Sequence, residues 1–113
     1  MPKVKLIALT TPLPGKEAEF NDWYQNKHLG EITSVPGFEG AQRFQLVAKL
    51  AGNDPNTYLA IYDADVEDPG ALLAGMGALA QSGKMTPPDF QDMATTYTAL
   101  FTECGEYVKA GGN

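Results

Sequence analysis

Two segments of this chain are apolar on both sides of an extended strand, and this limits the possible folds more than any other feature. From Lys3 to Thr10, Val4, Leu6 and Ala8 fall on one face and Ile7 and Leu9 on the other. Tyr58-Leu59-Ala60-Ile61-Tyr62 repeats the pattern. A strand in an antiparallel sheet with one wet face alternates apolar and polar residues, so both faces of these strands require cover. The chain has two segments with helical patterning, enough for one face. A second copy of the same sheet is the simplest cover for the other.

The remaining elements follow from local signals. Pro12-Leu13-Pro14-Gly15 turns the first strand into a helix over about Glu17 to His28, whose early Glu17 and Glu19 suit the positive end of a helix dipole. Gly30 and Pro36-Gly37 are read as ending that helix and turning the chain. A second strand runs from Phe38 to about Ala48, the turn formers Gly52-Asn53-Asp54-Pro55-Asn56 make a loop, and Thr57 to Tyr62 is a third strand. Asp68 as N-cap and Pro69 at the first helical position open a second helix with Leu72, Met76 and Leu79 at helical spacing, stopped by Gly83. An irregular stretch from Lys84 to Ala94 leads to a last strand, Thr95 to Thr102, with Tyr97, Ala99 and Phe101 on one face. The order βαββαβ predicts an α+β, ferredoxin-like domain: a four-stranded antiparallel sheet with two helices on one face. Residues 1–113 are read as one domain with a disordered tail over about 109–113.

Composition excludes several classes of partner. Fourteen acids against 8 bases give a net charge of −6, with no basic stripe. This opposes binding to nucleic acid or anionic membrane, which draws its energy from Lys and Arg displacing counterions. A single cysteine, Cys104, and no long apolar run predict a cytoplasmic protein without disulfides.

The chemistry-bearing residues are concentrated between Phe20 and Phe44. Phe20, Tyr24 and His28 share one helical stripe with Trp23 at its flank, so the only His points where the aromatics point and sits in the last helical turn. The Pro14-Gly15 approach, the Glu19-Phe20-Asn21-Asp22-Trp23-Tyr24 run, His28, the Pro36-Gly37 turn, and Ala41 with Arg43-Phe44 resemble the ethyl tert-butyl ether degradation (EthD) family of the dimeric α/β-barrel superfamily. The resemblance implies a homodimer closing a barrel across a two-fold axis. It leaves the reaction open, since that superfamily includes cyclases, cofactor-free oxygenases, haem proteins and proteins without assigned activity.

Each candidate residue has a functional and a structural reading. His28 is a general acid or base at the edge of a pocket lined by Trp23 and Tyr24, or it caps its own helix or bonds Glu31. If Phe44 packs under the helices, Arg43 points to the opposite face, where it clamps a carboxylate or enolate or pairs with an acid across the interface. Tyr58, Tyr62 and Tyr97 orient a ligand carbonyl or hydroxyl, or are strand packing. We take His28 as the catalytic candidate and Trp23, Tyr24, Arg43, Tyr62 and Tyr97 as the ligand-binding candidates.

Other patterns fail on context. Gly75-Met76-Gly77-Ala78-Leu79-Ala80 fits a dinucleotide string but lies inside a helix, where small residues serve close packing. Asp63, Asp65, Glu67 and Asp68 resemble a calcium loop, but Ala74 stands where a bidentate Glu belongs, and helix-start electrostatics is the better account. One His and one Cys far apart make no zinc site. Haem held by His28 alone is compatible with the residues, yet the strands carry no further sign of it. The expectation is a homodimer with no cofactor and no metal that binds an aromatic or polyketide-like small molecule. It acts as a cyclase, dehydratase, isomerase or lyase through His28, or as a non-catalytic ligand-binding or accessory protein of a degradation pathway.

Overall fold

The computed structural model describes residues 2–112. Its strands are β1 (Lys3–Thr10), β2 (Phe38–Gln45), β3 (Tyr58–Asp65) and β4 (Tyr97–Thr102). They form one sheet in the order β2-β3-β1-β4, antiparallel throughout. The helices are α1 (Glu17–Trp23), continued by a π-helical turn over Tyr24–His28 into α2 (Leu29–Thr33), and α3 (Pro69–Ser82). The result is the α+β, ferredoxin-like arrangement expected from the element order.

Register fixes the two faces. Leu6 lies opposite Tyr62 and Leu100, and Ala8 opposite Ala60, on the helix-covered side. There Phe20, Trp23, Tyr24, Leu29 and Ile32 pack on Leu6, Ala8, Tyr58, Ala60 and Tyr62. Val4, Ala64 and Leu72 form a second cluster nearer α3. The other face carries Ile7 opposite Ile61 and Ala99, and Leu9 opposite Leu59 and Tyr97. No described helix lies over it, and Phe44, Tyr97 and Phe101 are 42%, 49% and 52% exposed. Among the described residues, helices therefore cover the doubly apolar strands on one side only.

Several boundaries differ from the sequence expectation. The first helical segment continues past Gly30 to Thr33, because burying Leu29 and Ile32 outweighs the roughly 1 kcal/mol that a helical glycine costs. His28 consequently lies inside the helix rather than in its last turn, and has no helix end to cap. The chain reverses at Gly37, where a φ of +108° favours glycine and where an added Cβ would lie 2.8 Å from Leu72 Cδ2. β2 stops at Gln45, short of Ala48, and β3 extends to Asp65. Asp63 and Asp65 are thus strand residues, Asp63 paired with Lys5 across the sheet, while helix-start electrostatics holds for Asp68. That residue caps α3 by accepting from Gly70 N–H, Pro69 opens the helix, and Gly83 ends it at φ +73°. β4 begins at Tyr97 instead of Thr95. Of the expected tail, residues 109–112 are exposed, and Asn113 lies outside the described residues.

Candidate functional site

The π-helical turn explains how the chain gathers its aromatic side chains. In a regular α-helix, residues five apart diverge by about 140° around the axis. Here Leu29 N–H bonds Tyr24 C=O, five residues back, which lengthens the turn. Trp23 and His28 thereby stack, with ring centroids 4.6 Å apart and planes at 22°. Tyr24 meets His28 edge-on at 4.9 Å. A plain α-helical stripe leaves Trp23 at the flank, whereas the π turn makes it the direct neighbour of His28.

His28 lies on the wall of a cavity of about 110 Å³ between the helices and the sheet. Its polar lining comes from Thr10, Tyr24, Tyr62, Gln91, Thr96 and Thr98. Leu6 and Ala8 supply the apolar floor. The cavity approaches the roughly 150 Å³ that encloses a benzene ring. His28 Nδ1 lies 3.4 Å from Glu31 Oε1, and among the described residues its Nε2 has no hydrogen-bond partner. Burial holds its pKa below the ordinary 6.5, with Glu31 opposing the shift. The residue stands within the helical segment and not at its end, so burial, and not a helix terminus, sets the direction of the shift. Burial thus favours the neutral imidazole over the charged ring.

Two phenols extend the site. Tyr62, 1% exposed, donates its hydroxyl to Tyr24 at 3.3 Å. Desolvation raises the pKa of both. Near neutral pH they are hydrogen-bonding phenols rather than phenolates.

Arg43 occupies the reverse of its expected face. It lies opposite Ala60 on the helix-covered side, while Phe44 lies opposite Leu59 on the open side. The small Ala60 leaves room for the guanidinium over the rings of Tyr24, Tyr58 and Phe20, at 4.8, 5.1 and 5.5 Å from their centroids. Nη2 donates to Asn21 Oδ1 at 2.8 Å. Arg43 therefore touches Tyr24 without lining the His28 cavity. Tyr97 is on the open face opposite Leu9 and is not brought together with His28.

Sequence reasoning misses the polar wall formed by Thr10, Gln91, Thr96 and Thr98. Gln91 is 7% exposed and donates to Thr96 Oγ1 at 2.7 Å. The stretch that carries it has the composition of an irregular loop, and its bridge to Pro12 leaves no periodic signal. Among the described residues, no group of three His, Cys, Asp or Glu side chains is arranged to hold a metal. No described helix is long and apolar enough to cross a membrane.

No family profile matches the sequence, and no curated protein matches it. Solved structures do match. An EthD family protein from Bacillus halodurans aligns with a TM-score of 0.58 at 19% identity, over 92% of this chain and 100% of its own. HapK from Hahella chejuensis aligns with a TM-score of 0.54 at 17% identity, over 98% and 100%. The ActVA-Orf6 monooxygenase of Streptomyces coelicolor, in complex with the ligand nanaomycin D, aligns with a TM-score of 0.55 at 16% identity, over 96% and 93%. The EthD resemblance in the sequence thus has its counterpart in three dimensions: the chain has the ferredoxin-like α+β fold of an EthD family protein and of a ligand-binding monooxygenase.

Proposed function

We propose that this protein is a homodimer that binds one aromatic or polyketide-like small molecule per protomer at the His28 cavity, and that His28 accepts a proton from it without a cofactor. The observation that carries the reading is the imidazole itself. It is largely buried, held neutral, and lines a mixed polar and apolar cavity with one nitrogen unengaged. Aromatic walls and a few convergent polar groups suit a planar ligand. The ligand in the ActVA-Orf6 monooxygenase supports a small-molecule role for this fold.

The dimer is inferred from the open sheet face, where Ile7, Leu9, Leu59 and Ile61 form an apolar surface flanked by Phe44 and Phe101. The radius of gyration, 15.2 Å, exceeds the roughly 13 Å of a compact domain of this length. Val47 and Leu50, in the segment between β2 and β3, are 98% and 96% exposed, apolar surface that a second copy would remove from water. Sedimentation at micromolar concentration should give twice the chain mass, and a monomer would contradict this part of the proposal.

One observation favours binding without catalysis. Tyr24 and Tyr62 are pushed above the ordinary phenol range, so His28 has no second group in the cavity ready to exchange protons near neutral pH. The test begins with a panel of aromatic and polyketide-like acids, screened by thermal shift and followed by crystallography of the best. Density against His28 supports the proposal, and a ligand bound only at Arg43 or on the open face overturns it.

A further inference from the structure

Four side chains close a ring of contacts at the edge of the cavity. Glu31 follows His28 by three residues, so the two are neighbours on one helical face. Its Oε1 is 3.4 Å from His28 Nδ1 and accepts from Thr86 Oγ1 at 3.2 Å, while its Oε2 accepts from Thr86 N–H at 2.8 Å. Thr86 Oγ1 in turn accepts from Trp23 Nε1 at 2.7 Å, and Trp23 stacks on His28. The side chains of His28 and Glu31 are 19% and 17% exposed, so water competes weakly for these contacts.

We propose that Glu31 is the positioning residue of this site: by engaging His28 and Thr86 together, it fixes the imidazole with a proton on Nδ1 and a lone pair on Nε2, and ties the 84–96 segment over the cavity. This rests on the reading of His28 as the ligand-facing group. Donors and acceptors decide the tautomer. An ionised carboxylate only accepts, so its contact with Nδ1 is favourable only when that nitrogen carries the proton. Glu31 is kept ionised: burial opposes its charge, but hydrogen bonds from Thr86 and His28 outweigh burial and hold its pKa below the usual value. With Nδ1–H committed, the neutral ring meets the cavity through the Nε2 lone pair. The titratable groups against the ring or on the cavity wall with it are Glu31 on its own helix, Tyr24 on the π turn and Tyr62 on β3. To the cavity wall the 84–96 segment and β4 contribute Gln91, Thr96 and Thr98, all uncharged, and α3 contributes Met76.

This tautomer narrows the substrate class. The resting site receives a proton: an O–H or C–H bond of the ligand breaks, its electron pair stays on the ligand, and the proton bonds Nε2. The imidazolium then carries both N–H groups, one still directed at Glu31. An imidazole is a modest base even when exposed, and burial weakens this one further, so the proton it takes is an acidic one. Such a ligand is an enol, a phenol conjugated to a carbonyl, or a carbon acid between two carbonyls, each giving a delocalised anion.

His28 is the chain's only histidine, so its ring nitrogens can be read without ambiguity. Long-range proton–nitrogen NMR on the ligand-free, uniformly labelled protein should show a neutral ring with Nδ1 protonated and Nε2 bare. Glu31→Gln, whose amide can donate to Nδ1, should move the proton to Nε2 and lower the ring's titration midpoint. Thr86→Ala, which removes a hydroxyl but leaves the carboxylate, should preserve the native tautomer. A wild-type ring protonated on Nε2, or a Glu31→Gln spectrum equal to wild type, overturns the proposal. Loss of the tautomer in Thr86→Ala overturns it as well, by showing that the Thr86 hydroxyl and not the Glu31 carboxylate sets the ring. None of these results depends on turnover, so an inactive protein with the expected tautomer would refute catalysis and leave this assignment standing.

Discussion

Replacing Arg43 separates an aromatic lock from an anion clamp. Its guanidinium lies 4.8–5.5 Å from three ring centroids and donates to Asn21 Oδ1 at 2.8 Å, with a longer 3.5 Å contact to Asn21 C=O. A cation over an aromatic ring contributes about 0.5–1 kcal/mol when partly exposed. A well-formed hydrogen bond from a charged donor contributes about 1.5 kcal/mol or more. Counting the rings as one shared interaction and allowing for the apolar contacts that a methionine retains, Arg43→Met should lose about 2 kcal/mol. For a domain of this size, about 4 °C per kcal/mol is expected, so the melting temperature should fall by about 8 °C. Arg43→Lys should lose roughly half as much, since an ammonium keeps the charge but not the planar fork. Thermal melts must be run at one protein concentration, because dissociation of a dimer shifts the midpoint. Affinity for a ligand held at His28 should change little in both variants. An unchanged melting temperature together with lost ligand affinity would refute the lock and restore the clamp.

Two glycines in α3 should respond in opposite directions: a Cβ on Gly75 would lie 2.6 Å from Val35 Cγ1, whereas one on Gly77 meets nothing within 4 Å. Gly77→Ala should stabilise by about 0.5–1 kcal/mol from helix propensity alone, and Gly75→Ala should lose about 1 kcal/mol net as overpacking exceeds that gain, both readable by denaturant unfolding. Acid should destabilise the fold in two stages. Below pH 6.5 the unfolded chain protonates His28 while the folded ring resists, so stability falls, and His28→Gln should remove this stage. Below pH 4.5 the contribution of Glu31, present above its unfolded value, is lost as the pH falls through its lower folded value, and Glu31→Gln should remove that stage.

Much of the fold is legible in the sequence because its signals are local and agree with one another. Asp68-Pro69 and Gly83 bracket α3 through capping chemistry that depends on few distant contacts. The two apolar faces of β1 and β3 are equally plain, since side-chain alternation is a geometric property of a strand. Gly30 misleads because a propensity of about 1 kcal/mol is smaller than the burial of Leu29 and Ile32. The face of Arg43 is unreadable for a related reason: β2 carries both a cation and a large aromatic, and only pairing with Ala60 decides which turns inward. His28, Trp23 and Tyr24 are visible as a group, but their contact depends on a π turn, for which the sequence has no periodic signature. The Glu31–Thr86 link joins residues 55 apart in the chain, a distance that no local pattern spans.

The central claim, that His28 accepts a proton from a bound ligand, is tested most directly by turnover and affinity in His28→Ala and His28→Gln dimers, using the acid that binds best to the wild type. We expect folded dimers that retain most of their ligand affinity and lose roughly a hundredfold or more in turnover, because neither side chain can carry the proton. Unchanged turnover in a folded His28→Ala dimer would contradict the claim.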